Sequence, residues 1–224
     1  MITHLEHEIE NIKRKVFTMT DAAIEAINDS IDALMTLDDK LAAKVIQGDT
    51  RIDKLEIQID DDCVRTLVTQ QPAASDLRLI LSFLKINTDL ERIADIAANI
   101  AKEAIRLEGR PRVTTTGDIP AMAATCVNMI KTAFEAMTTR DVSMAAEIIS
   151  VDREVDELNI QLYRELFAMM GDNPQIMPQA LGLIMVAKSL ERIGDHAKNI
   201  AERVIYYIEG VDIRKENKDH SDNK

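Results

Sequence analysis

The chain has no tryptophan, and aromatic residues make up only 3% of it. Glycine and proline are also scarce, seven and five in 224 residues, so little turn-forming material is available. A chain with so few breaks is built from few, long elements. Its wealth of Ala, Ile, Leu, Met, Asp and Glu makes those elements helices. Two cysteines, Cys63 and Cys126, form no recognisable metal or redox spacing and suit a reducing compartment. The longest run without charge, Asn173 to Ala187, is 15 residues, short of the ~20 that span a bilayer. The opening segment MITHLEHEIENIK is acidic and amphipathic, unlike a secretory signal. Positive charge is in deficit: the formal net charge is -12, which argues against nucleic acid or anionic lipid as a default partner. These features predict a soluble, cytoplasmic protein.

Turn signals divide the chain into six helical stretches. The first runs from about His4 to Thr36 and ends before Asp38, a helix-capping residue for the second. The second is broken at Pro72 within QQPAASD, and the third ends near Gly109. GRPRVTTTG, Gly109 to Gly117, is the one convincing linker. The fourth helix starts around Asp118–Pro120 and stops near Thr139, the fifth covers Asp141 to Gly171, and the sixth Pro174 to Gly210. The tail DIRKENKDHSDNK has no apolar period and is expected to be disordered.

The chain also repeats itself. DLERIADIAANIAKEA, Asp89 to Ala104, returns as SLERIGDHAKNIAERV, Ser189 to Val204, sharing the skeleton L-E-R-I-x-D-x-A-x-N-I-A at an offset of 100 residues. Earlier in each half, Leu41 to Asp60 matches Met144 to Tyr163 at an offset of 103. The turn between the matched helices therefore differs by three residues. Each half holds three helices in the same order, which predicts an all-α fold of two tandem antiparallel three-helix bundles related by internal repeat. The expected boundaries are 1–109 for the first bundle, 110–117 for the linker, 118–211 for the second bundle and 212–224 for the tail. A single six-helix array is the competing architecture.

Each repeated motif carries a Glu and an Asp four residues apart. At 100° per residue, Glu191 and Asp195 lie about 40° apart on one helix face, with Asn199 and Glu202 within about 80° of that line. Leu190, Ile193, Ala197, Ile200 and Val204 point the other way and form the core stripe. Glu91, Asp95 and Asn99 stand in the same relation to Leu90, Ile93, Ala97 and Ile100. A lone pair of this kind is usually a solvated acidic face. Here a second pair sits on the preceding helix, Asp49 with Asp53 and Asp152 with Asp156. Folding the hairpins brings Asp53 level with Arg92 and Asp49 with Ile96, and Asp156 level with Leu190 and Asp152 with Gly194. Both pairs of each hairpin thus share one height, in both halves.

Carboxylates ~5 Å apart repel by about 3 kcal/mol per pair at an effective dielectric of 20, and by under ~1 kcal/mol if fully wet. A bound cation removes that repulsion. The ligands would be all oxygen, from Glu91, Asp95, Asp49 and Asp53 in one set and Glu191, Asp195, Asp152 and Asp156 in the other, with Asn99 and Asn199 as further candidates. Such donors suit hard or borderline ions, Mg²⁺, Mn²⁺, Fe or Ca²⁺. Asp21 and Glu25 reach the height of Asp53 and Asp49, whereas their counterparts are Ala124 and Asn128, so the first set has extra candidate ligands. Gly48 and Gly194 precede Asp49 and Asp195; either they clear room for the acids or they permit close helix packing. His196 points away from Glu191 and is expected to pack or to support from behind. Arg92 and Arg192 are expected to pair with neighbouring carboxylates, and Met129, Met137, Met144 and Met185 to fill the core.

Other chemistry is sparse. Glu-x-x-His, the signature of helical di-iron proteins, is absent, as are phosphate-cradling glycine motifs and any plausible Ser–His–Asp or Cys–His set. A metal-dependent hydrolase or oxidase working through the same carboxylates, and a structural scaffold with empty acidic faces, are the alternatives to a non-enzymatic metal-binding protein.

The doubled L-E-R-I-[AG]-D-x-A-x-N-I-A, the D-x-x-[IV]-D-x-L earlier in each repeat and QPAASDLRLI opening the third helix resemble the PhoU family, over about Leu5 to Gly210. That resemblance implies a cytoplasmic, often dimeric regulator of bacterial phosphate-specific transport, with two bundles and metal clusters held on their surfaces. It implies repression of the phosphate-starvation response through contact with the transporter ATPase and a membrane sensor histidine kinase. The family motif falls on Glu91/Asp95 and Glu191/Asp195. Ala94 and Ile96 in the first copy stand where the second has Gly194 and His196.

Overall fold

The structure, a computed structural model, describes residues 3–108, 113 and 119–212. The described residues form six α-helices and one single-turn 3-10 helix: α1 His4–Thr36, α2 Asp39–Gln70, α3 Ala74–Arg106, α4 Ile119–Thr139, α5 Val142–Asp172 and α6 Met177–Glu209, with the 3-10 turn at Pro174–Ile176. No strand occurs among them. Apart from Val113, the expected linker lies outside the described residues, as does the tail beyond Asp212.

Local chemistry sets these boundaries. Thr3 opens α1 with a capping box: its hydroxyl accepts the Glu6 amide, and the Glu6 carboxylate accepts the Thr3 amide. The α1–α2 and α4–α5 turns are copies of each other. Leu37 and Arg140, 103 residues apart, each take the left-handed conformation (φ 57° and 58°), and the next residue caps the following helix. Asp38 Oδ1 accepts from the amides of Lys40 and Leu41, and Asp141 Oδ1 from those of Ser143 and Met144. The second hairpin turns differently. Asn173 caps the 3-10 turn through the Gln175 amide, while the first hairpin turns through Gln71 and Ala73 around Pro72. The change of repeat offset from 103 to 100 falls between these turns.

Helices α1, α2 and α3 pack on one another, and α4, α5 and α6 do the same. The halves join along α3 and α6, so the two bundles share one continuous apolar core. Helix α1 also meets α4, where Phe17 and Phe134 stack edge to face with centroids 5.2 Å apart. The join is reciprocal. Ser82 of α3 donates to the Arg203 carbonyl of α6 at 3.3 Å, and its repeat counterpart Gly182 faces Arg106 and Leu107 at the other end of α3. An approximate two-fold therefore relates the halves. At Gly182 a Cβ would lie 2.9 Å from Arg106 Nη2 and 3.1 Å from both Leu107 methyls, so glycine is what lets the helices close there. One polar tie across the join is not reciprocal: His196 Nδ1 of α6 meets Asp89 Oδ1 of α3 at 2.9 Å. Within the second bundle, Arg140 reaches the Tyr207 hydroxyl at 2.7 Å.

The core stripes expected for α3 and α6 are buried throughout. Met129 and Met137 are buried and Met144 packs against the core, but Met185 is 55% exposed and is not core filler. It lies on the outer face of α6, in line with Leu181 and one turn before Lys188. Cys63 and Cys126 are buried free thiols. Among the described residues no helix is long and apolar enough to cross a membrane.

Two glycines test this packing in opposite senses. Gly182→Leu is expected to cost ~1–3 kcal/mol through overpacking at the α3–α6 join, seen as a lower urea midpoint. Gly48, exposed in mid-helix with nothing within 4 Å of a Cβ, should gain about 0.5–1 kcal/mol as alanine. A Gly182→Leu protein as stable as the parent would contradict the close approach described here.

Candidate metal-binding faces

Because α3 and α6 are covered on two sides, the strip of each beside its hairpin partner is what remains for charge. In the first hairpin that strip brings Glu91 and Asp95 of α3 against Asp49 and Asp53 of α2, as the register required. Asp49 is in hydrogen-bonding contact with Asp95, and its carboxyl is raised above the ordinary range by burial first, then by the charges of Asp95 and Asp53. Burial raises Glu91 as well, with Asp95 the next cause. In the second hairpin Asp156 is raised by partial burial, then by Asp152 and Glu191. Asp195, though open to solvent, is partly desolvated by the atoms around it and further raised by Glu191 and Asp152. Each hairpin thus gathers all four expected carboxylates on one face.

Sequence reasoning missed Glu56. It lies three residues beyond Asp53 and seven beyond Asp49, so the helical period placed it on the same face, but its counterpart Asn159 hid it from a search based on the repeat. Burial raises its carboxyl, followed by Asp60 and Asp53, and Glu91 feels its charge in turn. Fully buried Asn87 of α3 holds this part of α2 in place, donating to the Glu56 carbonyl and to Asp60 Oδ1, both at 2.9 Å. Position 187 is alanine, so the second hairpin has no such pin.

The other candidates lie elsewhere. Asn99 accepts from Lys102 at 3.0 Å, and Asn199 turns towards Asp89 across the α3–α6 join at 3.4 Å. Glu25, with Asp29, binds Lys44 and so turns away from the first face; equal height along parallel axes did not mean a shared face for this residue. Arg92 pairs with Glu91 at 3.4 Å and Asp95 at 3.9 Å, as expected, whereas Arg192 is exposed without a carboxylate partner among the described residues. Gly48 clears room for nothing. Gly194 does: a Cβ there would lie 3.4 Å from both Asp152 Oδ1 and the Val155 side chain.

What these faces can do chemically follows from the donor set. The donors are carboxylate oxygens that raise one another's protonation, a charge excess that a hard cation would relieve. Gly194 leaves a cradle for Asp152, and Lys198 already sets a cation on that residue at 2.6 Å. The residues therefore fit oxygen-liganded ions in chemistry. No three His, Cys, Asp or Glu side chains among the described residues close around a single point, so the arrangement is an open face rather than a cage. Among the described residues, the thiols and the histidine nearest the faces are not available as nucleophiles: burial pushes Cys63 and Cys126 up to about 12, and His196 is engaged by Asp89.

A family model described as the PhoU domain matches twice, over residues 16–104 and 119–204. The chain is similar to the phosphate-specific transport system accessory protein PhoU homolog of Pseudomonas aeruginosa, 39% identical over 210 residues, covering 92% of this chain and 86% of that one. The crystal structure of PhoU from Pseudomonas aeruginosa superposes with a TM-score of 0.86 at 38% identity, covering 93% and 100% of the two chains. The phosphate transport system regulatory protein PhoU from Streptococcus pneumoniae superposes with a TM-score of 0.87 at 25% identity, covering 93% and 99%.

The raised carboxyls fix the pH response of the metal-free protein. A group whose folded pKa lies above its unfolded value binds more protons when folded, so stability falls as pH rises through the folded pKa. Asp49, Glu56, Glu91, Asp156 and Asp195 all act in this sense; Asp62, which burial alone would raise but Lys15 and Arg65 hold low, opposes them, as do the capping carboxyls of Glu6 and Asp141, held low by hydrogen bonds from Thr3 and Ser143. In chelator at low salt the melting temperature should rise as pH is lowered from 7 towards the ordinary carboxylate range, by ~2–4 °C for each kcal/mol relieved. Asp49→Asn with Asp195→Asn should flatten that rise. An unchanged slope in the double variant would show that the faces are not its source.

Proposed function

The chain belongs to the PhoU family, and on that premise we propose that it is a non-enzymatic, cytoplasmic regulator of phosphate uptake and phosphate-starvation signalling. The observation that carries this reading is the pairing of two carboxylate faces, built at equivalent positions of the two halves, without a nucleophile or free base beside them. A hydrolase or oxidase needs such a group in addition to the metal ligands. A regulator needs only a surface whose charge and shape its partners recognise.

Oxygen-liganded ions, Fe, Mn or Mg, would be held by Asp49, Asp53, Glu56, Glu91 and Asp95 on the first face and by Asp152, Asp156, Glu191 and Asp195 on the second. Bound ions supply charge neutralisation on a protein of net charge -12. The carboxylates hold the ions; the hairpin cores behind them keep the two helices of each face in register. The partners in this proposal are the ATPase subunit of the phosphate transporter and the membrane sensor kinase, reached as a homodimer. Free phosphate is a poor ligand for so acidic a surface, so phosphate status reaches the protein through those partners.

Two experiments bear on these statements. Replacing Glu191 with Gln and Asp195 with Asn removes charge at nearly constant volume. After growth in metal-rich medium, metal per protein should fall while helicity is retained, since both acids face away from the core. Unchanged metal content, or none in the parent protein, would leave the faces as solvated acid. For the role itself, deleting the gene should switch on phosphate-starvation genes in phosphate-rich medium, and unaltered expression would refute it.

A further inference from the structure

The two faces occupy equivalent positions, yet their cations differ. On the second face Lys198 Nζ donates to Asp152 Oδ2 at 2.6 Å, and Asp152 is only 4% exposed. Its other oxygen lies over Gly194. Lys188 Nζ donates to Glu191 Oε2, also at 2.6 Å. Applying the repeat offsets, Asp152, Glu191, Lys198, Lys188 and Gly194 correspond to Asp49, Glu91, Ala98, Thr88 and Ala94. The first face thus has no lysine at either place. Its cations are Arg92, which reaches Glu91 at 3.4 Å and Asp95 at 3.9 Å from an exposed position, and Lys102, which hydrogen-bonds Asn99 and acts on Asp49 only through its charge. It also has a fifth acid, Glu56, where the second has Asn159.

An ammonium and a metal ion compete for the same carboxylate lone pairs. The lysine is tethered on the same or the facing helix, so its effective concentration is high and independent of the medium. The ammonium 2.6 Å from a nearly buried carboxylate stands where a metal cation would otherwise be held. We propose that Lys198 and Lys188 are resident cations of the second face, which takes a metal ion only by displacing them, whereas the first face, lacking both, binds metal more tightly and fills first. This rests on the faces being metal sites, and it adds an order of loading: at limiting metal the protein carries ions on one half only.

The test is a calorimetric titration of the metal-free full-length protein with Mn²⁺, with circular dichroism on every variant. The parent should show two classes of site. Glu91→Gln with Asp95→Asn should abolish the tighter class, and Glu191→Gln with Asp195→Asn the weaker. Lys198→Met should raise the affinity of the weaker class by about tenfold or more, since a unit charge is removed beside the ligand. That substitution leaves Asp152 without its partner, so Lys188→Met, at an exposed position, provides the same readout should Lys198→Met fail to fold. Thr88→Lys, on the first face, should weaken the tighter class. A lysine that merely braced the hairpin would not raise metal affinity when removed. If Mn²⁺ binds the parent but neither lysine variant binds it more tightly, or if the first-face variant loses the weaker class, the resident-cation inference is overturned alone. If no variant and no parent protein binds Mn²⁺, both it and the metal reading fall.

Discussion

Helices α3 and α6 have to be apolar on two sides at once, and the rest of the architecture follows from that constraint. Each packs within its own bundle and along its counterpart in the other. On α3 the exposed residues of the motif region shrink to a strip through Thr88, Arg92, Asn99 and Lys102, with Glu91 and Asp95 at its edge. Carboxylates placed there are flanked by a neighbouring helix and partly desolvated, which is why they raise one another's protonation rather than acting as separate solvated charges. Small residues, Ser82 and Gly182, let the central pair close.

Much of this was legible in the sequence because local rules dominate long helices. Caps at Asp38 and Asp141 set starts to within a residue, Asn173 opened a 3-10 turn three residues ahead of α6, and the apolar period marked the core stripes of α3 and α6 correctly. Hairpin register was also readable: a short turn between two straight helices leaves little freedom in height, so Asp49 and Asp95 had to meet. What failed was direction around the axis. Glu25 was at the right height but turns to Lys44, and Met185, assigned to the core by its chemistry, stands on the outer face. Glu56 escaped because the repeat was used as a filter, and a filter built on identity discards whatever one half has gained.

The ties across the α3–α6 join were beyond the sequence for another reason. His196 was expected to pack or to support the acids from behind; it instead meets Asp89, 107 residues away and outside the acidic faces. Nothing in a local pattern links the two. Asn199 was drawn into the same contact, which takes its amide from the carboxylates beside it. A candidate ligand can thus be lost to an interface that only the assembled fold contains.

The reciprocal contacts along α3 and α6 are what two identical three-helix units would make about a two-fold axis. In such a pair every substitution occurs twice, so a lysine that quietens one acidic face must quieten the other. Joining the units into one chain ends that coupling. The apolar join can stay nearly symmetric, because both halves still bury the same surface, while the faces drift apart: lysine at 198 against alanine at 98, glutamate at 56 against asparagine at 159. Covalent continuity, more than any single residue, is what lets one protein carry two unlike copies of the same surface.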